Sequence, residues 1–353
     1  MSLDRSIFMP LAVFRADASA SLGIGHVMRC SVLSQALALA GWRTAFACSA
    51  ETMEIHPSLT SSEHGISPLK DDVDEARSLR QRWPRGCDLL VVDHYRLGAD
   101  FETAMRGWAH CILTIDDLAD RPHDCDVLLD TALGRDSRAY EALVPGHCRL
   151  LLGPRYSLLR PQFASARARA LARRGAAEPV RRILVSLGGT DPAGVTAKVV
   201  EGIGQSGIDA EIDIVIGLAA VRQGGMKGVA GSIPQSVRLL CDVSDMAGLM
   251  VEADLAVGAG GSTTWERCCL GLPTVVLTLA PNQAVQAKAL TDLNAAHCLG
   301  WHEDIDAVTI ANAVCRLGAD AEERHRLSAS SAPLCDGEGI GRITSALELA
   351  AEK

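Results

Sequence analysis

The sequence predicts an α/β protein with two domains, each built on a parallel β-sheet. The chain has 353 residues, more than one typical domain, and short apolar runs alternate with helical patterns along its length. Apolar residues make up 48% of the chain but aromatic residues only 4%, so aliphatic side chains must form the cores. This composition favours helices layered on parallel strands.

Ten apolar runs are the predicted strands, five in each half of the chain. In the first half they are Leu11 to Phe14, Arg43 to Ala47, Leu89 to Val92, Cys111 to Ile115 and Val127 to Leu129. In the second half they are Arg182 to Ser186, Ile212 to Ile216, Val237 to Leu240, Leu255 to Val257 and Thr274 to Leu277. Ligands bind beyond the carboxyl ends of parallel strands, so we expect the two sheets to face each other across a cleft.

Proline, glycine and small residues near the middle of the chain predict the domain boundary. We expect an N-terminal domain over residues 1–160, a linker helix over residues 161–178 and a C-terminal domain over residues 179–353. Eight arginines lie between Arg155 and Arg182, with Glu178 as the single acid. We interpret them as one face of a solvated linker helix; contact with a membrane surface is the alternative.

Charge and cysteine content exclude several classes of protein. The net charge of −9 argues against nucleic acid as a partner, because such binding needs a basic surface. Twelve cysteines without any C-x-x-C pair predict reduced thiols rather than a metal site or disulfides, as in a cytoplasmic protein. We find no signal peptide and no run long enough to span a membrane, and we expect a monomer.

The first candidate site is the turn Gly-Ile-Gly-His-Val-Met-Arg at residues 23–29, between the first strand and a helix. Gly25 lets the backbone approach a ligand, and the helix start offers N–H donors to an anion. His26 stands where the helix begins, and a neutral imidazole there could take a proton from water. The alternative is a histidine that only caps or packs.

The second half contains two glycine-rich turns. Gly188-Gly189-Thr190-Asp191-Pro192 follows a strand, and we predict Asp191 as the N-cap of the next helix; a ligand site and an ordinary turn are equally good interpretations. Gly260, Gly261, Ser262 and Thr263 follow another strand, an arrangement that presents N–H groups and hydroxyls to phosphate. Glu266 could accept hydrogen bonds from ribose hydroxyls, or it could form a capping box with Thr263.

Polar residues follow three further strands. The amides of Asn282 and Gln283 suit sugar hydroxyls or acetamido groups, although loop amides more often solvate a turn. Asp93-His94-Tyr95 and Asp116-Asp117 also end strands, and loop polarity or helix capping is the simpler interpretation of both.

Taken in order, these motifs resemble the UDP-sugar hydrolases of pseudaminic acid biosynthesis, which are related to glycosyltransferases of the GT-B fold. The resemblance runs from Leu11 to Arg342 through R-A-D-A-S, G-I-G-H-V-M-R-C, V-V-D-H-Y, D-D-L-A-D-R, L-L-G-P-R-Y-S-L-L-R, V-S-L-G-G-T-D-P and G-A-G-G-S-T-T-W-E-R-C-C-L-G-L-P followed by N-Q. It implies two Rossmann-like domains and hydrolysis of UDP-2,4-diacetamido-2,4,6-trideoxy-β-L-altropyranose to UDP and the free sugar, with inversion.

The resemblance also implies roles for individual residues. His26 matches the family's proposed general base and Tyr95 the tyrosine of D-H-Y, and we expect both to be catalytic. Glu266 matches the glutamate that holds ribose. Backbone groups near Val243 to Met246 are the expected uracil contacts. The full set expected to bind substrate is Asp17, Gly25, Arg29, Gly189, Thr190, Met246, Gly260, Gly261, Ser262, Thr263, Glu266, Asn282 and Gln283. We expect UDP-sugar and water as reactants, and no metal or cofactor.

Two other functions remain open from the sequence. The same residues could pass the sugar to an acceptor, which would make the protein a glycosyltransferase, or they could bind a nucleotide without turnover. An oxidoreductase is less compatible, because neither glycine turn has the full dinucleotide-binding pattern.

Overall fold

The computed structural model describes residues 9–19, 23–55, 59, 65–69, 74–175, 178–189, 191, 194–217, 231, 233–241 and 243–351. The chain forms two compact units. Unit 1 comprises Met1–Leu158 and Gly339–Lys353, and unit 2 comprises Leu159–Glu338.

Unit 1 contains a seven-stranded parallel sheet in the order β3-β2-β1-β4-β5-β6-β7. The strands are β1 (Leu11–Ala16), β2 (Arg43–Ser49), β3 (Gly65–Leu69), β4 (Cys87–Asp93), β5 (Ala109–Ile115), β6 (Val127–Asp130) and β7 (Arg149–Leu152). The helices between them are α1 (Gly25–Leu39), α2 (Ala50–Ile55), α3 (Glu75–Arg82) and α4 (Ala99–Met105), with short 3₁₀ turns at Ser137–Ala139 and Pro154–Tyr156. The strand order reverses direction between β1 and β4, where a Rossmann-like sheet opens a crevice for ligands.

Unit 2 contains a six-stranded parallel sheet in the order β10-β9-β8-β11-β12-β13. The strands are β8 (Arg182–Ser186), β9 (Glu211–Ile216), β10 (Val237–Cys241), β11 (Leu255–Ala259), β12 (Thr274–Thr278) and β13 (His297–Trp301). The helices are α5 (Pro161–Arg174), α6 (Val195–Gln205), α7 (Met246–Glu252), α8 (Thr263–Cys269), α9 (Gln283–Asp292), α10 (Ala307–Ala319) and α11 (Ala321–Ser331), with 3₁₀ turns at His302–Asp304 and Ala332–Leu334. Here the order reverses between β8 and β11.

The predicted fold class, two Rossmann-like α/β domains with parallel sheets, is confirmed. All ten predicted strands are present, most of them one to three residues longer than predicted. Three strands were missed, namely β3, β7 and β13. Each lies at the edge of its sheet and is only partly buried, so its sequence lacks the continuous apolar run of a central parallel strand.

The end of the chain returns to unit 1 as α12 (Gly339–Ala351). Its residues Ile343, Ala346 and Leu347 are buried in the same apolar cluster as Val127 and Leu129 of the unit 1 sheet. The sequence analysis placed residues 179–353 together in the second domain, so the structure differs there. The physical reason is that the apolar face of α12 is buried against unit 1.

Helix α5, predicted as a solvated linker, packs within unit 2. Arg169 and Arg173 are exposed, as predicted, but Arg167 and Arg174 bind carbonyl groups inside the unit. Arg174 donates to the carbonyl oxygens of Met250 and Ala253 at 2.6 and 2.5 Å, at the end of α7. Arg167 donates to the carbonyl oxygen of Cys269, the last residue of α8, at 2.5 Å. Cations stabilise helix C-termini, so these arginines hold unit 2 together instead of forming a solvated basic face.

Two further findings concern the predicted surroundings of the protein. No helix among the described residues is both long and apolar enough to cross a membrane. The cysteines are free thiols, and most of them are buried.

Candidate active site

His26 and Asp93 meet where the strand order of unit 1 reverses. His26 is the second residue of α1, and Asp93 is the last residue of β4, which pairs with β1. His26 Nδ1 lies 2.5 Å from Asp93 Oδ1, and the two residues are 6% and 0% exposed. The imidazole is therefore held by a buried carboxylate through one nitrogen, which leaves Nε2 for other work.

Arg29 fixes the Asp93 carboxylate from the next turn of α1. Its Nε donates to Asp93 Oδ2 and its Nη2 to Asp93 Oδ1, both at 2.6 Å. Burial alone would raise the pKa of Asp93, but the Arg29 guanidinium and His26 beside it hold that pKa well below its usual range. Asp93 therefore stays ionised and accepts a hydrogen bond from Nδ1–H, so a neutral His26 carries its lone pair on Nε2.

Tyr95 and Asp117 complete this side of the site. The Tyr95 ring meets the His26 ring edge-on, with 4.6 Å between centroids. The Tyr95 hydroxyl donates to Asp117 Oδ2 at 3.4 Å, and Arg29 Nη1 lies 3.5 Å from the same oxygen. Burial raises the pKa of Tyr95 above its usual value, so the phenol is neutral. Three of the predicted site residues, His26, Arg29 and Tyr95, are thus in one cluster.

Asp17, predicted to bind substrate, is buried in contacts with the protein itself. Its carboxylate lies 2.8 Å from Arg15 Nη1 and 3.3 Å from His94 Nε2, and it accepts from the Ser49 amide at 2.7 Å. Although burial opposes ionisation, His94 and Arg15 hold the pKa of Asp17 well below its usual range. These contacts give Asp17 a structural task, fixing the loop after β1. Gly25 is the first residue of α1.

Unit 1 also has a cavity of about 1150 Å³ at the amino ends of its strands, opposite His26, and its lining includes Trp42, Trp83 and Trp108. Its lining includes Leu11, Arg43 and Cys87, the first residues of three strands. Because parallel sheets bind ligands beyond their carboxyl ends, we place the candidate site at His26 and not at this cavity.

In unit 2 the glycine turn lies where the strand order reverses, directly after β11. A Cβ on Gly260 would come within 3.2 Å of Gln283 Cβ, and Gln286 Nε2 donates to the Gly260 carbonyl at 2.7 Å. A Cβ on Gly258 would overlap the guanidinium of Arg267. The glycines at 258 and 260 therefore give room to side chains beneath the turn, whereas Gly261 has only Gln283 Nε2 near, at 3.6 Å.

Glu266 pairs with Arg160, which precedes α5. Arg160 Nη2 lies 3.6 Å from Glu266 Oε1, and Arg160 Nη1 donates to the Ser244 carbonyl at 3.1 Å. Burial raises the pKa of Glu266 to about 7, against the opposing effect of Arg160 and Arg267. Arg160 thereby connects Glu266, the residue predicted to bind ribose, to the segment predicted to bind uracil, which ends at the buried Met246.

The capping box considered for Thr263 and Glu266 is not formed. The N-cap of α8 is Ser262, which makes no side-chain cap hydrogen bond, and Thr263 is the first helical residue. Among the described residues the recorded partner of the Glu266 carboxylate is Arg160. Glu266 is thus available for a ligand, apart from that one contact.

Arg267 lies beneath the same turn and is 2% exposed. Its Nη2 donates to the Ala259 carbonyl at 2.6 Å and to the Thr264 hydroxyl at 3.1 Å, and its Nη1 to the Thr263 hydroxyl at 3.1 Å. Its Nε is buried and has no partner in the part of the chain that the structure describes. Burial lowers the pKa of Arg267 to about 10.

The remaining predicted residues follow β8 and β12. Gly189 packs so closely on Gly217 that a Cβ on Gly217 would overlap its carbonyl; Thr190 lies outside the described residues. Asp191 accepts from the Val195 and Thr196 amides at 2.9 and 3.2 Å. However, α6 begins at Val195 with Gly194 as the N-cap residue, so Asp191 caps it from further back than predicted.

The two predicted amides begin α9. Asn282 is the N-cap residue of α9, and Gln283 is its first residue. Gln283 Oε1 accepts from the Leu279 amide at 2.9 Å, so this side chain holds the turn after β12.

The sequence analysis missed several residues that shape these sites, namely Asp93, Asp117, Arg160, Arg267 and Gln286. Asp93 and Asp117 were noted at strand ends but interpreted as loop polarity. Arg160 is distant in sequence from its partners Ser244 and Glu266, and the side chain of Arg267 faces the interior. No local sequence pattern indicates either role. No group of three or more His, Cys, Asp or Glu side chains is placed to hold a metal ion within the described ranges.

Known structures share this fold over nearly the whole chain. MurG from Acinetobacter baumannii superposes with a TM-score of 0.69 at 15% identity, over 96% of this chain and 99% of that chain. S. aureus MnaA in complex with UDP superposes with a TM-score of 0.64 at 12% identity, over 97% and 96%. Two Rossmann-like units of this kind define the class as a protein of the GT-B fold.

The family follows from sequence comparison. The chain is 30% identical over 348 residues to the spore coat polysaccharide biosynthesis protein SpsG of Bacillus subtilis strain 168, which covers 96% of this chain and 98% of that protein. The chain belongs to the family of this SpsG protein. It is also 26% identical over 284 residues to the UDP-2,4-diacetamido-2,4,6-trideoxy-β-L-altropyranose hydrolase of Campylobacter jejuni, over 79% and 95% of the two chains. No family model matches the chain.

Proposed function

We propose that this protein hydrolyses a UDP-sugar, with His26 as the general base that activates water. The observation that carries the proposal is the buried contact between His26 Nδ1 and Asp93 Oδ1 at 2.5 Å. A carboxylate on one ring nitrogen fixes the tautomer and stabilises the imidazolium that forms when the other nitrogen takes a proton. His26 Nε2 has no recorded partner among the described residues, so it can accept that proton from water.

The reaction would be a single displacement at the anomeric carbon. The water oxygen forms a bond to that carbon while its proton passes to His26 Nε2. The bond from the carbon to the UDP oxygen breaks, and its electron pair leaves with UDP. The products are UDP and a free sugar of inverted anomeric configuration, and Asp93 offsets the charge on the imidazolium until the proton is released.

Unit 2 would bind the nucleotide. Glu266 would accept from the ribose hydroxyls, residues 243–246 would contact uracil, and the turn Gly260–Thr263 would hold the diphosphate. Asn282 would contact the sugar. We further propose that the protein works as a monomer and requires no metal ion or other cofactor.

For the sugar, we propose 2,4-diacetamido-2,4,6-trideoxy-β-L-altropyranose, by analogy with the C. jejuni relative. The B. subtilis relative is named for spore coat polysaccharide biosynthesis, so a panel of UDP-sugars differing at C2, C4 and C5 is the direct test. The proposed sugar should be hydrolysed fastest. If another member of the panel is hydrolysed faster, the proposed sugar is wrong but the proposed hydrolysis still holds.

The test of the reaction uses purified protein, the UDP-sugar, EDTA and ¹⁸O-labelled water. We expect UDP and free sugar as products, with the label in the sugar and a rate unaffected by EDTA. The variant His26→Asn should bind UDP normally and turn over roughly two to four powers of ten more slowly, the usual loss for a general base.

His123→Asn is the matched control for that variant. His123 is also buried in unit 1 and also contacts a buried carboxylate, with its Nδ1 2.9 Å from Glu102 Oε1. We expect this variant to lose stability without a comparable loss of turnover. Label in the phosphate, or normal turnover by His26→Asn, would contradict the proposed mechanism.

Sugar transfer to an acceptor is the second candidate function, supported by the fold shared with MurG. The same base could take a proton from an acceptor hydroxyl instead of water. The two functions separate in the labelled-water experiment: release of UDP only after an acceptor is added would favour the transferase.

A further inference from the structure

Unit 2 contains several buried or half-buried arginines, and most of them share one arrangement. Arg167 and Arg174 donate to carbonyl groups where α8 and α7 end. Arg324, 8% exposed, donates to the carbonyls of Leu317 and Gly318 near the end of α10, at 2.6 and 2.9 Å. Each of these cations lies at the negative end of a helix dipole, which compensates for part of its burial.

Arg267 is buried in the opposite surroundings. Apart from the Ala259 carbonyl, its acceptors are the neutral hydroxyls of Thr263 and Thr264, in the first turn of α8. No carboxylate among the described residues forms an ion pair with it, and its Nε has no partner there. Glu266 interacts with its charge without forming an ion pair, but burial raises the pKa of Glu266 to about 7, so this carboxyl compensates for the buried cation only in part.

The turn is nevertheless shaped around that cation. Gly258 leaves the space that the guanidinium occupies, since a Cβ there would overlap it. The hydroxyls of Thr263 and Thr264 are oriented by the same guanidinium. Helix α8 has only seven residues, so the first turn alone is a weak source of positive potential. The buried charge is the stronger source.

We infer that Arg267 is the positioning residue through which the turn Gly260–Thr263 selects an anionic ligand, the diphosphate of the nucleotide. This inference rests on the proposed function and names how unit 2 would recognise the charged part of its substrate. Arg267 does not touch the ligand; it holds the turn and the two hydroxyls and supplies positive potential beneath them. A bound diphosphate would add a full counter-charge to the partial one that Glu266 supplies.

The experiment measures binding of uridine, UMP and UDP by calorimetry to the unsubstituted protein and to Arg267→Met and Arg267→Lys. A charge interaction should cost Arg267→Met about 10- to 100-fold in UDP affinity, less in UMP affinity, and under about twofold in uridine affinity. Arg267→Lys loses the same paired hydrogen bonds but keeps the charge, so its UDP affinity should stay within about fivefold of the unsubstituted protein.

Arg324→Met is the matched control, because it removes a buried, carbonyl-bound arginine of the same unit away from the turn. It should lower the unfolding temperature while leaving the ratio of UDP to uridine affinity unchanged. The inference is overturned if the ratio of UDP to uridine affinity is unchanged in Arg267→Met, whether the variant binds all three ligands equally weakly or as well as the unsubstituted protein does. If the unsubstituted protein does not bind UDP, the proposed function is wrong as well. If it binds UDP but the ratio is unchanged in Arg267→Met, only the inference is wrong.

A measurement on the unsubstituted protein covers the case in which Arg267→Met does not fold. A bound diphosphate should raise the pKa of Arg267 from its value of about 10. At about pH 10, UDP binding should therefore take up more protons from the buffer than uridine binding does, as read from calorimetry in two buffers of different ionisation enthalpy. Equal proton uptake by the two ligands would overturn the inference.

Discussion

The two strand-reversal points of this protein balance charge in different ways. In unit 1, Asp93 is saturated by Arg29 and His26, and the cluster is complete without any ligand. In unit 2, Glu266 has a raised pKa, and Arg267 forms no ion pair with a carboxylate in the part of the chain that the structure describes. The comparison shows that unit 1 presents a fixed pair, His26 and Asp93, whose charge is already balanced. Unit 2 contains two groups, Glu266 and Arg267, whose charges are only partly balanced without a ligand.

The strongest test of the fixed cluster is Asp93→Asn. The change removes the charge that sets the His26 tautomer, so we expect turnover to fall roughly 100- to 10,000-fold. It also leaves Arg29 with only its 3.5 Å contact to Asp117, which should cost about 3 kcal/mol of unfolding free energy in unit 1. Steady-state kinetics and denaturant unfolding measure the two effects.

Asp213→Asn is the matched control for Asp93→Asn. Asp213 is also fully buried and also binds an arginine through both oxygens, with Arg238 Nε and Nη2 at 2.6 and 2.7 Å. We expect a smaller loss of stability, because the Arg238 side chain that loses its partner is 48% exposed, and little change in turnover. If the two variants lose turnover equally, Asp93 has only a structural role and the contrast between the units is wrong.

Glu266→Gln tests whether unit 2 is completed by a ligand. In the folded protein Glu266 has a pKa of about 7, against a usual value of 4.5, because burial disfavours its charge. An ionised carboxylate accepts stronger hydrogen bonds from ribose hydroxyls than a protonated one, so uridine affinity should rise as the pH increases through 7. In Glu266→Gln that rise should disappear, with affinity about tenfold lower at pH 8. Glu211→Gln, an exposed site at the start of β9, should change neither quantity.

The same shift predicts the pH dependence of stability. Below pH 4.5 Glu266 is protonated in both the folded and unfolded states and contributes nothing. Between pH 4.5 and about 7 the folded state holds the proton more tightly, so stability falls as the pH rises, by roughly 3 to 4 kcal/mol in total. Unfolding of unit 2 at pH 5 and pH 8 should show this fall in the unsubstituted protein and a smaller one in Glu266→Gln.

Tyr95→Phe should have the smallest effect. It removes one long hydrogen bond to Asp117 and keeps the ring that packs on His26, so turnover should fall less than about tenfold. Tyr140→Phe is the control, because that hydroxyl contacts Asp116 and Asp130 in the interior at 2.9 Å each. It should lower stability more and turnover less. A thousandfold loss in Tyr95→Phe would mean that the hydroxyl takes part in the chemistry.

The sequence predicts the sheets and the positions of the sites better than it predicts their partners. Central strands such as β4 and β11 are buried on both faces, so their apolar runs are unambiguous. The contact between His26 and Asp93 joins residues 67 positions apart, and only the adjacency of β1 and β4 brings them together. Strand order is not encoded locally, which is why Asp93 looked like ordinary loop polarity.

Arg267 was missed for a different reason. It follows Glu266 in the motif G-A-G-G-S-T-T-W-E-R, but whether its side chain points to solvent or folds back beneath the turn depends on the space left by Gly258. Helix α5 shows the converse problem. Its arginines looked solvated because the carbonyl groups that bind them come from other parts of unit 2.

The return of the chain to unit 1 determines the order in which the protein can be built. Unit 2 is one continuous stretch, Leu159–Glu338, whereas the core of unit 1 includes Ile343, Ala346 and Leu347. During synthesis, unit 2 has all of its residues before unit 1 has its last helix. Until α12 has been synthesised, the part of the unit 1 sheet that this helix covers is exposed. Apolar surface of that kind is what chaperones bind on a nascent chain.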